Sequence, residues 1–303
     1  IKYFHIKPNS FVVEAGSNDG TFLKEIKNFS KSKVLGVDPS KNISNIASKK
    51  KLDTFLGYFN FDNSKLIRNK YGKADIIYGA NVFNHVDNNL DFLEGANHLL
   101  SDNGVLVLEV PDLNSLISKV GFDTIYHEHR HYYSEKSLNK ILKQKKFYIF
   151  KIEKISYMAG SIRVFAKKNK IKFQKNFTSV SLSDFKAFKK KIKYVSQEIV
   201  SFVKDKNLNK IKVFGLGAAT KGNTLLNYCK FTEKNISYIL DKSKLKINKH
   251  APGSGIKIVD ENKFKNIESI LILPWNITKH LKKKIIKNKK LPYISIQKIV
   301  NKI

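Results

Sequence analysis

The chain has 303 residues, a single cysteine (Cys229) and a formal net charge of +32 at pH 7, with lysine far outnumbering arginine. This length exceeds the usual single domain and predicts two. One cysteine excludes an intrachain disulfide framework and a cysteine-rich zinc site within these residues, and no apolar run is long enough for a transmembrane helix. The lysine excess is scattered among many Asn and Ile residues and gathers in no arginine-rich element. It reads as bulk surface, with polyanion attraction as the alternative. The chain opens on Ile1, and residues 1–6 read as the end of an element that starts upstream. No signal peptide is visible, and a cytoplasmic location is expected.

Phe11 to Gly20, FVVEAGSNDG, is the stretch around which the chain is organised. Three residues suited to a buried strand lead into Glu14, then into a turn with Gly16 and Gly20, then into a candidate helix, Thr21 to Phe29. A strand, tight turn and helix form the nucleus of a nucleotide-binding α/β half. A pyrophosphate-binding turn offers helix-terminal N–H groups to an anion, whereas Glu14 and Asp19 place two carboxylates here. They repel pyrophosphate and attract a cation or a ribose diol. The loop, with Ser17 and Asn18 in it, therefore favours S-adenosylmethionine (or its product S-adenosylhomocysteine) over NAD or ATP.

The second strand, Lys33 to Ser40, carries Asp38, placed to accept hydrogen bonds from ribose hydroxyls, and Pro39, which disfavours continuing the ladder. Asn42 to Lys50 reads as a helix. In the next segment, Asp53 to Phe61, Gly57 and Asn60 stand at a depth that borders a cofactor. Lys73 to Ala80 is the third clear strand, with Ala80 at its end; Asn81 and His85 come next at the carboxyl edge, where open α/β sheets bind ligands. His98, in a predicted helix from Leu90 to Leu100, reads as structural. Another strand, Gly104 to Asp112, brings Glu109 to the same edge.

Phe122 to Ser134, FDTIYHEHRHYYS, is the densest polar and aromatic cluster. His127, Glu128, His129 and His131 are of metal-ligand type, but their spacing does not fit a helical HExxH site. No metal is expected among these residues. Acid–base chemistry explains the set better: histidine titrates near neutrality, an adjacent carboxylate orients it, and Tyr126 can hold a substrate oxygen. Structural packing stays open as the other reading. Ser137 to Gln144 reads as a helix, and Phe147 to Ile155 with Gly160 to Lys167 as a closing hairpin. Strand alternation turns Arg163 away from its apolar neighbours, toward the cleft, where it is expected to bind substrate, or toward the solvent.

From Lys167 to Asn209 the chain is Lys-rich with helical spacing, most clearly in SLSDFKAFKKKIKYVSQEIVSFVKDK, with Ser183 as the expected N-cap and an apolar stripe of Phe185, Phe188, Ile192, Val195, Ile199 and Phe202. The architecture then restarts. A strand from Lys212 to Phe214 runs into the Gly-rich turn GLGAATKGN, and a second strand from Ile236 ends in Asp241. Because Thr220 interrupts GxGxxG, the turn is weak evidence for a dinucleotide. Gly217, Lys221 and Asn223 suggest an anion site for a substrate phosphate, against a plain fold-forming turn. PGSGIKIVD reads as a connection, and Ile267 to His280 as a buried strand with Trp275 and Asn276 at its functional end. The remaining basic segment is expected to form a helix and a short closing strand. The fold class is therefore α/β: a class I, Rossmann-like methyltransferase domain (1–168), a connecting basic helical segment (169–210) and a second Rossmann-like domain (211–303).

Taken together, EAGSNDG, GVDPS, NVFNHVDN, GVLVLEVPD, FDTIYHEHRHYYS, AGSIRVFAK, VFGLGAATKGN and LPWN resemble the bacterial S-adenosylmethionine-dependent C-methyltransferases that act on nucleotide-linked deoxysugars. The resemblance covers nearly the whole chain. It implies a carboxyl-terminal domain that helps hold the substrate's nucleotide, expected to be dTDP-linked. It also implies a histidine base that enolises the carbon next to a keto group, matched here by His129, with Glu128 and Tyr126 beside it and His85 as a second active-site histidine. The family's amino-terminal zinc domain, with four cysteines, is not in this chain and is expected upstream or lost. Two alternatives remain: an O- or N-methyltransferase on another carbohydrate or nucleotide-linked substrate, and a non-enzymatic basic protein that binds polyanions. A small-molecule partner is expected, with no nucleic acid and no membrane span.

Overall fold

The computed structural model describes residues 6–302 apart from 157–159, 172, 174, 265, 279 and 282–290. It divides into two compact units, residues 1–114 with 130–179, and residues 115–129 with 180–303. This differs from cuts at 168 and 210 in two ways. The long helix goes with the carboxyl-terminal sheet, and the stretch 115–129 leaves the first sheet's unit to join the second. Sequence order conceals such an exchange, because the segment carries no composition shift at either end.

The first unit begins β1 (Phe11–Ala15), α1 (Thr21–Ser30), β2 (Lys33–Asp38), α2 (Lys41–Lys49), β3 (Thr54–Leu56), α3 (Phe61–Tyr71) and β4 (Ala74–Ala80). It continues with α4 (Asn89–Leu99), β5 (Leu100–Pro111), α6 (Glu135–Gln144), β6 (Tyr148–Ile155) and β7 (Ser161–Lys167); α5 (Leu113–Ser118) is a short helix at the change of unit. The strand order is β3-β2-β1-β4-β5-β7-β6, parallel from β3 to β5 and antiparallel at β7 and β6. The strands are near-continuous apolar runs because both faces are covered. Val13, Ile77, Leu106 and Leu108 meet α3 and α4 on one face, and Val12, Ile76 and Val107 meet Leu23 and Ile26 of α1 on the other. The order reverses between β1 and β4, so a crevice opens beyond their carboxyl ends.

Side chains at the element ends explain where the helices start. Asn60 caps α3 through Asn63 N–H, Asn88 caps α4 through Leu90 and Asp91 N–H, and Ser134 closes a capping box on α6. α3 is absent from the elements expected from sequence, because its pattern FDNSKLIRNKY is weakly amphipathic and buries only Ser64 and Ile67.

The second unit holds α7 (Leu182–Leu208), β8 (Val213–Leu216), α8 (Thr220–Tyr228), β9 (Tyr238–Asp241), β10 (Ile258–Asp260), β11 (Ser269–Ile272), β12 (Tyr293–Ile294) and α9 (Ile296–Val300). Its sheet is wholly parallel, in the order β10-β9-β8-β11-β12. Ser181, not Ser183, caps α7: its hydroxyl accepts Asp184 N–H while the Asp184 carboxylate accepts Ser181 N–H. The buried stripe of α7 is Phe188, Val195, Ile199 and Val203; Phe185 is exposed. PGSGIKIVD, expected as a connection, supplies β10, whose three residues pair with β9. The basic segment expected to form a helix lies largely outside the described residues; the chain closes on β12 followed by α9. No helix among the described residues is long and apolar enough to cross a membrane.

Candidate active site

The turn after β1 is built around one carboxylate. Asn18 N–H donates to Asp38 Oδ2 at 2.9 Å and Ser40 N–H to Asp38 Oδ1 at 2.9 Å, while Gly16 N–H donates to the Val37 carbonyl at 2.8 Å. Asp38 thus welds the first turn to the end of β2 and keeps lone pairs on both oxygens. Gly16 sits at φ +68°, the left-handed region that glycine takes without strain, and a Cβ there would stand 3.0 Å from Val82 Cγ2.

Beyond this turn lies a cleft of about 600 Å³. Gly16, Asp38, Pro39 and Asn60 line it, as does His85. Its wall also includes Tyr58, Phe59, Val82, Asp87, Asn88, Asp91 and Arg130, none of which the sequence marks as a site residue. Asn88 and Asp91 are legible only as a helix cap and first-turn acid, because a local role leaves no trace of a second one. Three carboxylates face one guanidinium, and that guanidinium is taken up by Asp87 at 2.8 Å. A net negative, aromatic-walled cleft of this size suits a cationic ligand with a diol and a flat base, and disfavours pyrophosphate. The residues present therefore fit S-adenosylmethionine. Asp38 and Asn60 are placed to take ribose hydroxyls, with Phe59 and Val82 as apolar wall.

The other turn residues have different surroundings. Asp19, expected to face a cation, is turned outward: its carboxylate binds Lys50 Nζ at 2.6 Å and accepts Thr21 N–H at 3.2 Å. The Lys50 and Thr21 hydrogen bonds hold its carboxyl down at about 2. The negative field of the cleft consequently comes from Asp38, Asp87 and Asp91. Glu14 is buried with Oε2 unpartnered, and burial, reinforced by Asp19 and Asp38, pushes its carboxyl up to about 8. Ser17 is buried beneath Gly36, where a Cβ would strike its hydroxyl. Gly20 at φ +72° precedes α1. Ala80 ends β4, and Asn81, at φ +52°, donates its N–H to the Glu109 carbonyl at 2.8 Å. None of these last five lines the cleft wall. Asn18 enters through its backbone bond to Asp38.

The loop after β4 is held from behind by the chain that comes after the histidine cluster. Arg130 and His131 donate their N–H groups to the Asn84 carbonyl at 3.0 and 3.2 Å, and His131 Nε2 stands 3.0 Å from the Val86 carbonyl. Arg163, expected as a substrate ligand, binds Glu109 Oε2 with Nε and Nη2 at 2.9 and 2.7 Å. Its charge is spent on that pair, which is partly buried and bidentate.

In the second unit, His129 Nδ1 stands 2.7 Å from the Thr124 carbonyl oxygen and its Nε2 3.1 Å from Tyr126 Oη. A carbonyl only accepts, so Nδ1 carries the proton and Nε2 presents its lone pair, toward which the Tyr126 hydroxyl donates. Burial pushes the Tyr126 hydroxyl up, with Glu128 and Asp123 adding to it, so it stays protonated at neutral pH. Glu128 is exposed. Gly217, at φ +84°, forms the turn after β8, and Asn223 lies in the first turn of α8. Lys221 bonds Asn276 Oδ1 and stands 4.9 Å from the Trp275 ring centre, and burial lowers its pKa. Trp275 is buried, and its indole N–H donates to Asp123 Oδ2 at 2.8 Å. Among the described residues, no group of three or more His, Cys, Asp or Glu side chains is arranged to hold a metal.

Residues 2–151 match the methyltransferase domain model, and residues 158–291 match the C-methyltransferase C-terminal domain model. With the strand order β3-β2-β1-β4-β5-β7-β6, this makes the first unit an S-adenosylmethionine-binding domain of class I methyltransferase fold. The C-methyltransferase NovU of Streptomyces niveus is 29% identical over an alignment of 279 residues that covers 88% of this chain and 66% of that protein. The chain thus spans just under two thirds of that relative's length. The chain is thus similar to C-methyltransferases along most of its length. Among solved structures, magnesium protoporphyrin IX methyltransferase of Synechocystis PCC 6803 is 18% identical, with 54% of this chain and 75% of that one covered at a TM-score of 0.43. A SAM-dependent methyltransferase of Aquifex aeolicus is 19% identical, with 55% and 85% covered at 0.41.

Proposed function

We propose that the protein transfers a methyl group to a carbon next to the keto group of a nucleotide-linked deoxysugar, with dTDP the expected nucleotide and His129 as the general base. The observation that carries this reading is the imidazole of His129, held by the Thr124 carbonyl so that its Nε2 lone pair is the basic site. The similarity to C-methyltransferases and the acid-lined cleft support the methyl-transfer half. The nucleotide-sugar half rests on the resemblance of the YHEH and GLGAATKGN segments.

S-adenosylmethionine, held by Asp38 and Asn60 in the cleft, would supply a methyl group made electrophilic by its sulfonium; the methyl–sulfur bond would break as the bond to the acceptor carbon forms, with the neutral thioether S-adenosylhomocysteine as leaving group. The chain's residues prepare that carbon. His129 Nε2 takes the proton from the carbon next to the ketone, and the C–H electron pair becomes an enolate. Tyr126 moves its hydroxyl from Nε2 to the developing enolate oxygen, with His85 as the alternative donor. Glu128, next to His129, stabilises the imidazolium that forms. Lys221 and the first-turn amides of α8 hold the nucleotide phosphates, with Gly217, Asn223, Trp275 and Asn276 around them.

The test is solvent deuterium exchange at the acceptor's α-carbon. His129→Asn should lower the exchange rate by about 100-fold or more while cofactor affinity stays within a factor of about three. Unchanged exchange in the folded variant sinks the assignment. NMR of the product identifies the methylated atom; a methyl group on oxygen or nitrogen rejects enolate chemistry.

A further inference from the structure

One buried acid in the second unit has no part in the proposed chemistry. Asp123 is wholly buried in the short 3-10 turn Phe122–Thr124, where its Oδ2 accepts the Trp275 indole N–H and its Oδ1 is left unpartnered. Burying a carboxylate is costly, and an indole N–H compensates it incompletely. Lys221 lies close enough to act on Asp123 electrostatically, yet burial prevails and pushes the Asp123 carboxyl up to about 6. A position that only filled space would be better served by an apolar side chain.

The residue's place in the chain shows what the carboxylate holds. The Asp123–Trp275 bond anchors a turn whose neighbours are also fastened: Phe122 packs on the Tyr228 ring with centroids 5.0 Å apart, and Gly121 lies against Trp275. Thr124 is locked to the same turn, its N–H and hydroxyl both donating to the Gly121 carbonyl at 3.1 and 2.7 Å. The next acceptor along is the Thr124 carbonyl, which takes His129 Nδ1–H. We propose that Asp123 is a positioning residue for His129, acting with Trp275 through the Gly121–Thr124 turn to aim the Thr124 carbonyl and so to set the imidazole's tautomer and direction.

This rests on His129 as the base for its kinetic consequence, but not for its structural one, and the experiment separates the two. The full chain is labelled with 15N-histidine, and the His129 resonances are assigned by their loss in His129→Asn. The wild type should show a single Nδ1–H tautomer. Asp123→Ala and Trp275→Phe should give mixed tautomers and lower α-proton exchange by about 10- to 100-fold, and in Asp123→Ala the acceptor KM should change less than about threefold. Asp123→Asn, which keeps an acceptor for the indole N–H, should restore both to within about threefold of wild type. Folding is checked by circular dichroism, and Trp275→Phe carries the test if Asp123→Ala does not fold. An unchanged His129 tautomer in a folded Asp123→Ala or Trp275→Phe overturns the proposal. A shifted tautomer, with exchange insensitive to His129→Asn, leaves the positioning intact and removes the base.

Discussion

The two units repeat one construction and put it to different chemical uses. In each, the glycine after the first strand donates its N–H to a carbonyl on the neighbouring strand at 2.8 Å: Gly16 to Val37, and Gly217 to Leu240. In each, an aspartate ending that neighbour takes one N–H from the turn and one from two residues on. Asn18 and Ser40 donate to Asp38; Ala218 and Ser243 donate to Asp241, at 2.7 and 2.8 Å. The surroundings then part. Asp38 looks into a cleft with Asp87 and Asp91, whereas the turn at Gly217 is pressed against the Pro274 ring and is approached by lysines, Lys246 bonding the Ala218 carbonyl at 2.7 Å. Local hydrogen bonding decides how such a turn is built, and the charges beyond it decide what it accepts.

The two turns differ most at Glu14, an acid within β1 where the second unit has Gly215. Its folded pKa of about 8 lies above the unfolded value of 4.5, so the folded state holds the extra proton between these limits. Stability must then fall as pH rises from about 4.5 to 8, and by linkage the loss is at most about 4–5 kcal/mol. Denaturation of Glu14→Gln should show a much flatter decline from pH 5 to 9; an equally steep one would mean that Glu14 is ionised in the folded chain. The same proton should leave when a cationic cofactor binds, read by calorimetry in buffers of different ionisation enthalpy.

A smaller effect separates the paired aspartates. Asp38→Ala removes two acceptors at the cleft and should weaken S-adenosylhomocysteine binding by about 10- to 100-fold. Asp241→Ala, which removes the matching bonds in the second unit, should cost about 1–3 kcal/mol in stability and leave that affinity unchanged. Equal losses of affinity from both would show that the turns share a ligand. The least effect is expected at Lys50, whose bond to Asp19 is a partly exposed pair. Lys50→Met should change stability by less than about 1 kcal/mol by thermal melting, and a large loss of cofactor affinity would return Asp19 to the site.

The strands of both sheets are legible because parallel, doubly covered strands are written as short apolar runs with a charge at the end: Asp38, Glu109 and Asp241 all mark such ends. The elements that escape are those with little apolar signal of their own, α3 with its weak amphipathic pattern and β10 with three residues. Asp19 misleads because its charge takes its meaning from Lys50, thirty-one residues away. Asp123 is illegible because an acid in a polar cluster looks solvent-facing, and the indole that buries it is 152 residues distant.

By itself the sequence determined the two α/β halves, the acid-rich first turn and the absence of an intrachain disulfide framework within these residues, since all of these depend on residue types at short spacing. Only the tertiary structure decided which carboxylates remain available at the cleft, which unit residues 115–129 join, and which nitrogen of His129 carries its proton. Those outcomes depend on partners far apart in the chain, and a carboxylate or imidazole takes its character from the groups folded against it.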